Sequence, residues 1–163
     1  MGQHFGDPKQ MNHVFFMFFV MMVLHLFVMP FVMIASPWDF RLSLTQFYAA
    51  VFMSAAMVAC MGLTFAMDVG TWIVVAVLLT ISVIGLRFQI GVSDAEYLHD
   101  MIPHHSMAVL TSRARLEKAT DPGVRILAKD ILAAQEKEIA VMKGIEGQLR
   151  SAAAMQPQNQ GRK

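Results

Sequence analysis

Residues 14–35 contain no charged side chain, and only His25 interrupts a continuous apolar run. At about 1.5 Å of rise per residue, a helix of that length crosses the roughly 30 Å hydrocarbon core of a bilayer. Two further runs, residues 45–67 and 71–90, have the same character. Three such runs commit the first half of the chain to helices in a membrane, because lipid offers no partner for an unsatisfied backbone group. Pro30 bends the first span without ending it, and Pro37 stops it. Residues 36–41 (Ser-Pro-Trp-Asp-Phe-Arg) read as an interfacial turn with Trp38 at headgroup level. The second span is rich in small residues, Ala49, Ala50, Ser54, Ala55, Ala56, Ala59 and Gly62, which let helices approach closely in lipid. Asp68-Val69-Gly70 reads as a tight turn, and Trp72 and Arg87 mark the two ends of the third span. The first run is too long for the apolar region of a signal peptide, and only Lys9 precedes it among basic residues, so no cleavable leader is expected.

Charge separates two regions. Residues 1–90 hold only Lys9, Arg41 and Arg87 as bases and Asp7, Asp39 and Asp68 as acids, and every other charge follows Ser93. The net charge of the 163 residues is +1, which gives no basic field for nucleic acid. Cys60 is the single cysteine, so there is no intrachain disulfide. The expected organisation is a polar tail over 1–13, a membrane domain over 14–91, a helical hairpin over 92–150 and a disordered tail over 151–163. The expected fold class is all-α, three transmembrane helices followed by an antiparallel hairpin.

The hairpin announces itself through its caps. Ser93 with Glu96 forms a capping box, and Asp121 with Pro122 supplies a cap and a first helical residue for a second helix. Leu98, Met101, Ile102, Val109 and Leu116 recur at helical spacing on the first helix, and Val124, Leu127, Ile131, Ala134, Ile145 and Leu149 on the second. At about 100° per residue His105 falls within the first stripe and His104 near its edge, while His99, Glu96 and Met107 point elsewhere. Glu138 falls within the second stripe, bordered by Gln135 and Met142. A carboxylate on an apolar face is costly unless it is paired, protonated or bound to a metal. Folding the helices back at Thr120 sets His105 level with Gln135, with Met101 and Glu138 within a turn.

Met101, His104, His105 and Met107 form the densest group of potential metal ligands in the chain. Imidazole suits copper, zinc and iron, and thioether favours Cu(I). With Glu138 and Met142 from the second helix, these six residues are the candidate metal ligands; the alternative is a purely structural His–Glu pair. No nucleophile–base set, phosphate-cradling glycine loop, CxxC or HExxH is present, so no enzyme is expected. Glu96-x-x-His99 has the spacing of a di-iron carboxylate site, but both residues project away from the stripe and Glu96 serves as a cap.

Tyr97-Leu98-His99-Asp100-Met101-Ile102-Pro103-His104-His105, then Asp121-Pro122 with Val124-Arg125 and Leu127-Ala128, then Gln135, Glu138-Ile139 and Met142-Lys143, resemble the DUF305 family in three ordered blocks. The resemblance implies a ferritin-like helical segment and, from some members, binding of copper or silver outside the cytoplasm. It would place the hairpin on the outer face, against a slight opposite bias of Arg41 and Arg87 under the positive-inside rule. An integral protein of a bacterial inner membrane, with a periplasmic hairpin, is the corresponding localisation. Members often carry a methionine about six positions after the second histidine; Thr111 and Ser112 stand there here, which leaves Cu(II) or Zn(II) open beside Cu(I). Two helices cannot bury both sides of an apolar seam, so the hairpin is expected to complete a bundle as a homo-oligomer, or with a metal-handling or membrane-complex partner.

The first span also carries His13, Met17, Met21, His25, Met29 and Met33 at four-residue steps, and the second carries Met53, Met57 and Met61. Four-residue steps drift about 40° each on an α-helix, so the longer ladder wraps partly around it. Apolar packing by a flexible side chain accounts for most of these methionines. His25 is different, because ionisable residues inside a span usually face protein or water.

Overall fold

A computed structural model describes residues 8–64 and 67–155, with side chains from residue 12 onward. All regular structure among these residues is helical: α1 (Pro8–Val23), a π-helical turn (Leu24–Val28), α2 (Met29–Met33), a 3-10 turn (Pro37–Asp39), α3 (Leu44–Thr64), α4 (Val69–Phe88), α5 (Asp94–Lys118) and α6 (Pro122–Met155). The described residues divide into two compact units, those up to 32 with those between 42 and 92, and 33–41 with those from 93 onward.

In the first unit, three helical stretches are long and apolar enough to cross a membrane: Asn12–Met33, Leu44–Thr64 and Val69–Phe88. Val14, Val58 and Val75 form their shared core. The fully buried Ser54 and Ser82 donate to the carbonyls of Ala50 and Leu78 one turn back, so neither hydroxyl needs an outside partner. Gly85 lets α3 and α4 approach, since a Cβ there would sit 2.8 Å from the Tyr48 ring. The Tyr48 hydroxyl in turn donates to the Ile90 carbonyl at 3.0 Å, beside the left-handed Gln89 (φ 50°) that ends α4.

Three expectations change here. The helix begins at Pro8, inside the segment read as a tail; proline is favoured in a first helical turn, and residues 8–13 are the first turns of the same helix. Asp68-Val69-Gly70 is not a free turn. Asp68 caps α4, accepting from the Thr71 backbone at 3.0 Å and its hydroxyl at 2.6 Å, and Val69 and Gly70 are already helical. The helix drift of the methionine ladder is interrupted: from Leu24 to Val28 the helix is π, with the Met29 N–H bonded to the Leu24 carbonyl. In that wider turn residues four apart fall short of a full turn rather than beyond it, so the drift reverses around His25.

In the second unit, α5 and α6 pack as an antiparallel hairpin. Ser93 caps α5 by accepting from the Glu96 backbone, and Asp121 caps α6 by accepting from the Val124 backbone at 2.8 Å. The core is Leu98, Ile102, Val109, Ile139 and Met142, with Ala35, Met101 and Leu132 against it. α6 extends to Met155, so residues 151–155, read as disordered, continue the helix; the rest of that tail, 156–163, lies outside the described residues. The run Ser151-Ala-Ala-Ala-Met has high helix propensity, which carries the helix on past Arg150.

The buried face of α6 also differs from the expected one. Ala128, Ile139, Met142 and Glu146 turn toward α5. Leu127, Ile131, Ala134, Ile145 and Leu149 stay exposed. Two apolar stripes lie side by side on α6, and periodicity could not say which of them α5 covers.

Candidate metal centre

α5 passes through Pro103 without a break and carries His104 and His105 just after it. His105 is anchored at both ring nitrogens. Its Nδ1 lies 2.8 Å from the Met101 carbonyl one turn earlier, and its Nε2 lies 3.0 Å from Glu138 Oε2 on α6. A carbonyl can only accept, so Nδ1 carries a proton. Nε2 then faces a carboxylate, which as an ion is also acceptor-only. Two electron-pair donors meeting at 3.0 Å require something positive between them, a proton or a cation. Gln135 completes the group, its Nε2 donating to Glu138 Oε2 at 3.4 Å. The expectation that His105 and Glu138 meet across the hairpin agrees with this geometry.

The other candidate ligands divide. His104 is exposed, its ring edge-on to His105 with centroids 5.9 Å apart. Met142 is buried within the hairpin core, and Met101 packs against that core. Both side chains thus belong to the apolar packing around Ile102 and Val109. Met107 is half-buried on a different face of α5. Among the described residues no three side chains of His, Cys, Asp or Glu come together. One chain therefore offers His105 and Glu138 as a pair, with His104 adjacent.

A second polar cluster has no counterpart in the sequence reading. The segment 33–41 lies on the hairpin as a strap. Asp39, buried at 5% exposure, accepts from the Ser106 hydroxyl at 2.6 Å and from Lys143 at 2.5 Å, and Ser106 accepts from the Ala35 backbone at 2.9 Å. Arg41 grips Glu146 with two parallel bonds, Nε to Oε1 and Nη2 to Oε2, each 3.1 Å. Its remaining nitrogen donates to the Trp38 and Phe40 carbonyls at 2.9 Å. Arg150 reaches the same carboxylate at 2.6 Å, and the His99 ring lies 3.3 Å from it. His99, expected to point away from the seam, thus lies in it. The hydrogen bonds from Arg41 hold the Glu146 carboxyl below its ordinary range, and the charges of Arg41, Arg150 and His99 add to this against the opposing effect of burial. The available signal was that Asp39 and Arg41 are the only charges between Lys9 and Asp68, too few to be a solvated loop.

Residues 94–163 match the description of a domain of unknown function, DUF305. The chain is also 30% identical over 135 residues to an uncharacterized protein of Acanthamoeba polyphaga mimivirus, covering 77% of this chain and 89% of the relative. The chain belongs to the DUF305 family. The likeness to the viral protein covers more than the DUF305 segment, so it reaches into the first 93 residues, where the membrane-length helices lie. No solved structure matches the chain. Within the DUF305 segment, Met101-Ile102-Pro103-His104-His105 gives both the core residue Ile102 and the paired His105, while Gln135, Glu138 and Met142 divide between the polar group and the core.

Proposed function

We propose that this DUF305 protein is a membrane-anchored binder of a transition-metal ion, copper before zinc, that holds the ion for sequestration or handover rather than for catalysis. The observation that carries this reading is the face-to-face placement of the His105 Nε2 and the Glu138 carboxylate, with the ring orientation already fixed by the Met101 carbonyl. A second bond at the far nitrogen is how metal-binding imidazoles are usually oriented. Imidazole with carboxylate suits Cu(II) or Zn(II), and the methionines engaged in the core add nothing toward Cu(I). Two donors from one chain leave further coordination positions for water or a receiving ligand, which fits transfer better than storage in a closed site. An outer-face, periplasmic position of the hairpin in a bacterial inner membrane belongs to the same proposal.

A purely structural His105–Glu138 pair is the second reading, favoured by the absence of a third charged ligand among the described residues. A di-iron oxidase is disfavoured because His99 is engaged by Glu146. Competition titration of the full chain in detergent with Cu(II), Zn(II) and Cu(I) tests these together with thermal melts. Binding by the wild type that weakens at least tenfold in His105→Ala and Glu138→Gln supports the proposal. Identical melts with and without every metal, and no binding above background, would leave the pair structural.

A further inference from the structure

Val124, Leu127, Ile131, Ala134, Val141 and Ile145 follow one another on α6 at alternating steps of three and four residues, with Glu138 in the one remaining place. All are exposed, Leu127 at 59% and Val141 at 54%. Apart from Glu138, which reaches His105, this stripe lies beside the face that α5 covers, and a mean spacing of 3.5 residues over three heptads is the pattern by which one helix seats against another. The structure therefore leaves a helix-shaped seam open on each hairpin.

The charges beside the seam choose the occupant. Asp130 and Lys137 lie on the side of the stripe away from α5, by about 100° per residue. Neither has an ion-pair or hydrogen-bond partner among the described residues. Two copies of α6 running antiparallel, with Ile131 of each against Ala134 of the other, set Asp130 of one copy opposite Lys137 of the second, and by symmetry do so twice. The same register sets Leu127 beside the stem of Glu138, whose carboxylate turns out of the stripe toward His105. A parallel pairing stacks Glu138 on Glu138 and leaves Asp130 facing Gln135, which repels where the antiparallel one attracts. We infer that the seam is the contact of a two-fold homodimer, α6 against α6 antiparallel, which closes two hairpins into four helices. This dimer does not depend on metal at His105.

Sedimentation equilibrium of the full chain in detergent micelles, with a chelator present, tests it. The wild type is expected at the mass of two chains. Asp130→Lys and Lys137→Asp each create like-charge contacts on both sides of the axis and weaken association about tenfold, while the double exchange restores it to within about threefold. Leu127→Asp with Ile131→Asp yields monomers of unchanged helix content. A wild type that stays monomeric through the micromolar range overturns the inference. So does a dimer that survives Leu127→Asp with Ile131→Asp, which would place the contact elsewhere, for instance between the apolar spans. A double exchange no better than its single variants also overturns it, because the two charges would then not face one another.

Discussion

Two carboxylates sit eight residues apart on α6 and have opposite surroundings. Glu146 is nearly buried and receives Arg41 through two bonds, Arg150 and His99. Glu138 is half-exposed and, among the described residues, receives His105 and Gln135 alone. Oε1 of Glu146 meets Arg41, Arg150 and His99, and Oε2 meets Arg41 again, so the carboxylate is committed to this cluster and its work is to hold residues 33–41 on the hairpin. Glu138 and His105 hold each other with capacity to spare. The difference separates a structural ion cluster from a candidate binding site more sharply than residue type does, since both contain a histidine and a glutamate.

The largest expected effect falls on the saturated end. Glu146→Ala strands Arg41 and His99 in a partly buried position and is expected to lower the stability of the detergent-solubilised chain by about 3 kcal/mol in thermal melts followed by circular dichroism. A loss below about 0.5 kcal/mol would remove the distinction between the two carboxylates, because surface pairs behave that way. Acid should act on the same end. The folded Glu146 carboxyl titrates below its ordinary value of 4.5, so its contribution is complete above pH 4.5 and is lost as the pH falls from there toward the lowered value. Glu146→Gln should flatten that part of the stability profile, and an unchanged slope would mean that other acids carry it.

Ser106→Ala comes next. It removes the hydroxyl that joins the Ala35 backbone to Asp39, and leaving buried groups short of a partner is expected to cost about 1–2 kcal/mol. Faster proteolysis within residues 33–41 should accompany it, and a melt equal to wild type would show that the strap is held by Lys143 and Arg41 alone. The smallest effect belongs to the open end. Without metal, His105→Ala should cost under about 1 kcal/mol, since Glu138 can turn to water. Saturating metal should then stabilise the wild type and not the variant. A large metal-free loss in His105→Ala would make the two ends alike and remove the argument for ligand binding.

Much of this was legible in the sequence because it depends on local rules. The lengths of the three apolar runs determined helices long enough to cross a membrane, and Ser93, Asp121 and Pro122 located the hairpin by satisfying or lacking backbone donors. The meeting of His105 and Glu138 came from helical phase and the position of the turn. The strap was not legible. Asp39 and Arg41 reach partners more than sixty residues away, and no local preference encodes which distant carboxylate or hydroxyl a side chain will find.

The sequence by itself determined where each helix of the hairpin begins and the stronger apolar stripe of α6, because caps and the 3.6-residue period act within a few residues of one another. Only the tertiary structure decided which stripe α5 covers. Ala128, Ile139 and Met142 won that contact over Leu127, Ile131 and Ile145 although the latter are the stronger pattern. The choice turns on packing against Leu98, Ile102 and Val109 together with the fit of Glu146 to Arg41 and His99, a sum over two helices and a strap that no single helix carries in its own period.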